Sequence, residues 1–391
     1  MTDDINQQTL DFISQHQYDD VRQLALQGSK DPAVDMPMAL QQIAGRQTAR
    51  KKLPSWAAIE GVLYPPHLNM EQCSSEQTAR YKALVVGSGD SFVDLTGGFG
   101  VDFYWIAQGF QHSQYVEQNE ALCAIAEHNF SLLGLPSSVS CANSAAYLTQ
   151  MDHASLIYLD PARRNEQGAR TYGIEDCTPN VLELLPLLME KADRVLLKLS
   201  PMLDWRKAVS DLHYVREVHI VSVDNECKEL LLVLDKDNKE NLRLVCVNND
   251  QIFVSSPLPP HPSSFNLHPS PFTHLYEPNA SIMKAGCFDE VAQHYGVSPV
   301  SANSHLFLSP VGIEDFPGRC FQISAISSMN KQSLKDALTG IERANITVRN
   351  FPMSVQQLRQ KLKLKDGGDV YIFATTTADN AHQLFICRKI G

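Results

Sequence analysis

Residues 92–102 read Phe92-Val93-Asp94-Leu95-Thr96-Gly97-Gly98-Phe99-Gly100-Val101-Asp102. An apolar run ends on an acid, a glycine-rich turn follows, and a helical pattern opens at Asp102. The order is strand, turn, helix. Glycines let backbone pass close to a ligand without a Cβ in the way, and the first amides of the next helix face that ligand. In a dinucleotide enzyme such amides hold pyrophosphate; an acid placed just before the turn suits a cationic ligand instead. A tight strand–helix turn with no ligand would account for the glycines equally well, so the flanking sequence has to decide.

On the C-terminal side, short apolar runs alternate with longer helical patterns. Strands are predicted at 92–95, 114–117, 139–141, 155–159 and 194–199, and helices at 102–108, 120–133, 180–191 and 204–212. That alternation implies a parallel sheet covered on both faces. Residues 215–223 and 229–234 form two more strands. Their link is too short for a parallel crossover, so they are predicted to pair as an antiparallel hairpin at the edge of the sheet. The expected fold is α/β, a Rossmann-like seven-stranded sheet, parallel except for that hairpin. A helical segment over 1–73 precedes the α/β domain, which is placed at 74–254. Six prolines mark 255–274 as a linker. A short mixed segment over 275–317 and an α+β segment over 318–391 complete the chain.

The polar residues at the predicted strand ends are the candidate site. Glu117 ends the second strand, 23 residues beyond Asp94, where a carboxylate can accept hydrogen bonds from both ribose hydroxyls. Asn143 follows the third strand and is placed either to meet an adenine or to cap the next helix. The fourth strand runs into Asp160-Pro161-Ala162-Arg163-Arg164. Asp160 could take a proton or hydrogen bond from a nucleophile. Arg163 and Arg164 could hold a phosphate, or could pair with Glu175 or Asp176. Lys198, at the end of the fifth strand, is a further rim contact or a lysine reaching for solvent.

The 391 residues carry a net charge of −11, which taken alone argues against a nucleic-acid partner. From Pro317 onward, however, there are eleven Lys and Arg against five Asp and Glu, so the acidity lies elsewhere in the chain. Nine scattered cysteines without a CxxC pair point to reduced thiols and to neither a disulfide framework nor a metal centre. No apolar run reaches the ~18 residues of a membrane span, and the acidic start of the chain is no secretory signal. A cytoplasmic protein is expected.

Several motifs together resemble the class I S-adenosylmethionine-dependent methyltransferases that carry a C-terminal THUMP-like domain. They are DLTGGFGVD (94–102), YLDPARR (158–164), LLKLSPMLD (196–204), NECKELL (225–231), SSEQTARYK (74–82) and RNFPMSVQQLRQKLKLKDGGDVYIF (349–373). The resemblance implies a ferredoxin-like domain at 275–317 and a THUMP-like domain at 318–391. It implies S-adenosyl-L-methionine as cofactor, held by Asp94, Gly97, Gly98, Gly100 and Glu117, and Thr96, Asp102 and Asn143 join the candidate set. Thr96 departs from the usual pattern, standing where many members have the first glycine. Asp160 and Arg163 are the candidate catalytic residues. Arg164, Lys198, Arg349, Arg359, Lys361 and Lys363 are the candidate substrate contacts. Because true THUMP domains bind structured RNA, the leading expectation is methylation of tRNA or rRNA, at a base nitrogen. Methylation of a base carbon would need a cysteine nucleophile. Cys177 is the one near the rim, and a buried thiol at a helix start is its plainer role. A methyltransferase for a small molecule or protein is the first alternative, and a non-catalytic RNA-binding protein retaining the cofactor fold is the second.

Overall fold

A computed structural model describes residues 5–163, 173–236, 242–255 and 272–390. Six helices come first: α1 (Gln7–His16), α2 (Val21–Gln27), α3 (Met36–Lys52), α4 (Pro54–Ala57), α5 (His67–Gln72) and α6 (Glu76–Val86). The α/β segment then runs β1 (Gly89–Asp94), α7 (Val101–Ala107), β2 (Phe110–Glu117), α8 (Glu120–Leu132), β3 (Ser138–Cys141), α9 (Ser144–Gln150) and β4 (Ala154–Leu159). A two-rung hairpin follows, β5 (Ala162–Arg163) with β6 (Cys177–Thr178), then α10 (Val181–Lys191), β7 (Ala192–Leu199) and α11 (Trp205–Leu212). The next four strands are β8 (Val215–Val223), β9 (Glu226–Asp235), β10 (Arg243–Asn248) and β11 (Gln251–Ser255).

These strands make a nine-stranded sheet in the order β11-β10-β8-β9-β7-β4-β1-β2-β3. Strands β3, β2, β1, β4 and β7 are parallel neighbours. Strands β8 and β9 are neighbours joined by Asp224-Asn225 alone, both with positive φ, which is the geometry of a two-residue hairpin turn. The seven expected strands are therefore present in the expected kind of order. The correction is at the edge, which the hairpin does not close. Strand β10 adds in parallel to β8, and β11 folds back antiparallel on β10. Both strands fall almost wholly inside the expected α/β segment, 74–254, but beyond the hairpin that was expected to end the sheet. Of the expected linker, 256–271 lies outside the described residues.

The rest of the chain holds β12 (His274–Pro278), α12 (Ala280–Ala285), α13 (Phe288–Tyr295), β13 (Ser298–Pro299), β14 (Phe307–Ser309), β15 (Gly318–Ser328), α14 (Lys331–Ala337), β16 (Asn345–Arg349), α15 (Val355–Leu362), β17 (Val370–Thr376) and β18 (His382–Ile390). Its seven-stranded sheet has the order β13-β14-β12-β15-β18-β17-β16. By compactness the chain divides into two units, 1–216 with 231–240 and 217–230 with 241–391. Among the described residues no helix is long and apolar enough to cross a membrane.

Within the first unit, the N-terminal helices are sewn to the α/β segment by apolar packing and buried hydrogen bonds. Trp56, Tyr64 and Met70 share one core with Phe99 and Val101 of the glycine loop. Trp56 meets the Phe99 ring edge-on, with centroids 5.2 Å apart. The Asn129 side chain, fully buried on α8, accepts from the Leu63 amide and donates to the Leu63 carbonyl, both at 2.9 Å. Gln42 makes the same double contact to the backbone of Tyr64. An unpartnered buried backbone group costs about 1–3 kcal/mol. Asn129→Ala strands two of them and is expected to lower unfolding stability in urea by about 2–4 kcal/mol. A loss below about 0.5 kcal/mol, the range of an inert surface change, would show that the N-terminal segment is not tied down there.

Candidate functional site

The site lies at the carboxyl ends of β1, β2, β4 and β7, where ligands of open α/β sheets bind. Asp94 ends β1 and is 1% exposed. Its Oδ1 accepts from the Thr96 amide at 2.9 Å and from the Thr96 hydroxyl at 3.4 Å. The same hydroxyl oxygen accepts the Asp160 amide at 2.6 Å. Thr96 thus ties the end of β1 to the end of β4, a link that a glycine in its place could not make.

The three loop glycines have different reasons to be glycine. A Cβ on Gly97 would lie 2.1 Å from the Tyr115 ring, and one on Gly100 would lie 2.6 Å from Phe130. Those two positions are closed by packing. Gly98 has φ +56, and a Cβ there would meet nothing nearer than the Thr96 carbonyl at 3.8 Å. Its face is open, and its amide donates to Glu117 Oε2 at 3.0 Å. Glu117 Oε1 accepts the Asn119 amide at 2.9 Å. A carboxylate offers about four acceptor positions, so Glu117 keeps capacity for two hydroxyls. Tyr115 steadies the turn by donating to the Gly98 carbonyl.

Asp102 is placed differently from its expected cofactor role. It lies in the first turn of α7, withdrawn from water. Its Oδ2 accepts from Ser74 at 2.8 Å and from Tyr158 at 2.7 Å. Its Oδ1 is 3.1 Å from the ammonium of Lys82, a lysine with no exposed side chain, and Lys82 also donates to Ser74 at 3.1 Å. Burial would push the Asp102 carboxyl up, but Lys82 and Lys198 with the two hydroxyl donors hold it below the usual carboxylate range. Asp102 is part of the frame beneath the site. Lys198 likewise does not point outward: its ammonium is 2.5 Å from Asp160 Oδ2 and 3.9 Å from Asp102 Oδ2.

Asn143 emerges on the same rim, since Cys141 pairs with Glu117 and the Ala142 amide donates to the Glu117 carbonyl. Its side-chain oxygen, however, caps α9 by accepting from Ala145 and Ala146 at 3.1 and 3.2 Å. Arg163 pairs through its backbone with Cys177 in the β5–β6 hairpin. Cys177 is buried. Arg164 lies outside the described residues.

Two of the C-terminal substrate candidates are structural in their own unit. Arg349 donates at 2.9 Å to Glu277, a buried carboxylate that also pairs with Arg319. Arg359 donates at 2.9 Å to the Ala344 carbonyl and at 2.6 Å to Asp366. Their positive charge is visible in sequence, but the partners come from distant positions. Lys361 and Lys363 are exposed, on α15 and at its end. Ser74, Lys82 and Tyr158 were missed by sequence reading. The first two lie in the motif SSEQTARYK, whose polar residues look like ordinary helix-start chemistry.

Asp94 has the more unusual electrostatics. Burial pushes its carboxyl well above the ordinary range, the Thr96 amide opposes this, and the negative charges of Asp102, Asp160 and Glu117 add to the rise. An unfolded Asp titrates near about 3.9. The folded protein therefore holds this proton more tightly than the unfolded chain. The stability it confers is full below about pH 4 and is lost as pH rises toward the elevated folded value. Asp94→Asn keeps an acceptor for Thr96 and removes the ionisation. The variant is expected to gain thermal stability relative to the parent as pH rises from 5 to about 8. A melting-temperature difference that does not change with pH would contradict the assignment.

Comparison with known proteins agrees with this architecture. Residues 318–389 match a family model described as THUMP domain-like, and residues 274–317 match one described as a ferredoxin-like domain. No curated protein matches the chain in sequence. The crystal structure of a protein from Porphyromonas gingivalis W83, described as a candidate methyltransferase, superposes with TM-score 0.84 and 31% identity over 97% of both chains. A candidate class I S-adenosylmethionine-dependent methyltransferase from Listeria monocytogenes is a far weaker match, with TM-score 0.40 and 11% identity over 62% of this chain and 94% of that one. The chain belongs to the methyltransferase family represented by the Porphyromonas gingivalis protein.

Proposed function

We propose that this chain transfers the methyl group of S-adenosylmethionine to a base nitrogen of RNA. The observation that carries the proposal is the convergence of Asp94, Glu117 and Asp160 on one rim around the open face of Gly98. Two carboxyl groups and a bare glycine face suit the cofactor: an ammonium group near Asp94, ribose hydroxyls on Glu117, and backbone approach at Gly98. When bound, S-adenosylmethionine supplies an electrophilic methyl group and leaves as the neutral thioether.

The chain's own residues do the rest. Asp160 faces the acceptor as a hydrogen-bond acceptor, aligns the nitrogen, and takes the proton displaced as the N–C bond forms. Thr96 fixes its backbone. Support for RNA comes from the THUMP domain-like match over 318–389 and from exposed Lys361 and Lys363. Arg349 and Arg359 are left out of the substrate face because Glu277, Ala344 and Asp366 engage them.

The test is transfer of a labelled methyl group from S-adenosylmethionine into a lysate of a strain lacking the protein, followed by fractionation. Label is expected in RNA, and Asp160→Ala is expected to reduce it by about 100-fold or more. Label confined to protein or small molecules would overturn the RNA assignment, and no transfer together with no cofactor binding would overturn the whole reading. Replacing Lys361 and Lys363 together with alanine should weaken RNA binding across sequences. It should also flatten the salt dependence of log K by about 2, roughly one per phosphate contact.

A further inference from the structure

Lys198 lies between two carboxylates that have very different surroundings. On its inner side is Asp102, buried and already held by Ser74, Tyr158 and Lys82. On its outer side is Asp160, on the rim, with its side chain 36% exposed. The Lys198 side chain itself is 12% exposed. An ammonium committed to two carboxylates and shielded to this degree is poorly placed to grip a substrate. It is well placed to hold Asp160.

The arrangement has a direction. Lys82 and the two hydroxyl groups fix Asp102, and Asp102 and Asp160 together fix the ammonium. The ammonium in turn engages one oxygen of Asp160, at 2.5 Å, which leaves the second oxygen for an acceptor N–H. The Asp160 amide is fixed independently by Thr96 at 2.6 Å. An ion pair this short, between groups held from both sides, fixes the direction in which the Asp160 side chain points.

We infer that Lys198 is a positioning residue for methyl transfer, holding the Asp160 carboxylate aimed through a chain of contacts anchored by Lys82 and Asp102. The inference rests on the proposed role of Asp160. Other titratable groups face the pair: Asp94 from β1 and Asp102 from α7 bear on Asp160 or Lys198, and Lys52 and Cys73 of the N-terminal segment bear on Lys198. Each is present in all the variants compared below, so differences among them report on position 198.

The test uses the full chain with Lys198→Gln and Lys198→Arg. Three quantities are measured: S-adenosylmethionine affinity by calorimetry, the orientation of the Asp160 side chain in crystal structures of the parent and both variants, and methyl transfer to total RNA. In Lys198→Gln, affinity should stay within about two-fold, while the Asp160 side chain leaves its parent orientation and transfer falls about ten-fold or more. Lys198→Arg, which keeps the charge, should restore the orientation and part of the transfer. An Asp160 side chain that keeps its parent orientation in Lys198→Gln would overturn the inference. So would loss of cofactor binding in both variants, which would make Lys198 part of the scaffold. Because the crystal structures need no substrate, they decide the role of Lys198 even if RNA proves not to be methylated.

Discussion

The buried charge pair of Lys82 and Asp102 is the constraint on which the rim of the sheet depends. An ion taken out of water costs several kcal/mol even after the protein relaxes, and the cost is tolerable only with a partner and a full set of hydrogen bonds. Here each charge supplies the other's partner, and Ser74, Tyr158 and Lys198 supply much of the rest. The five residues come from five places: the stretch before α6, α6 itself, α7, β4 and β7. None of those elements can shift by an ångström without stranding a charge. The pair therefore acts less as a source of net stability than as a fixed reference for everything built on it.

The glycine turn is held from two further directions. From below, Thr96 bridges Asp94 and the Asp160 amide, so that β1 and β4 share one hydrogen-bonding centre. From the side, Phe99 is sunk between Trp56 and Tyr64 of the N-terminal segment. Only Gly98 keeps an open face. Rigidity around a single accessible backbone position fits a loop whose task is to let a ligand approach closely, because little ordering remains to be done when the ligand arrives.

Much of this was legible in the sequence because it is local. Strand ends, glycine turns and helix caps are written in consecutive residues, so Asp94, Gly97, Gly98, Gly100, Glu117 and Asp160 could all be placed on one rim. The contacts that could not be read locally have a common cause. Asp102, Lys198, Arg349 and Arg359 carry charges whose partners are remote in sequence, and a charge without a visible partner looks available. Glu277, 72 residues from Arg349, accepts a hydrogen bond from that arginine. Thr96 is visible in sequence only as a departure from a glycine motif, whereas its hydroxyl bridges two strands. Strands β10 and β11 were missed for another reason, since the hairpin before them was expected to end the sheet.

The seven-stranded sheet adds a point about inheritance. The ferredoxin-like match ends at residue 317 and the THUMP domain-like match begins at 318, yet β12 of the first pairs over five rungs with β15 of the second, from His274 opposite Gln322 to Pro278 opposite Gly318. Severing the chain between those matches would unzip the middle of a sheet and bare the edges of two strands, the kind of exposed edge that recruits other chains. Gene shuffling could move this portion of the protein only whole, so the two named modules are expected to travel together as a single evolutionary cassette.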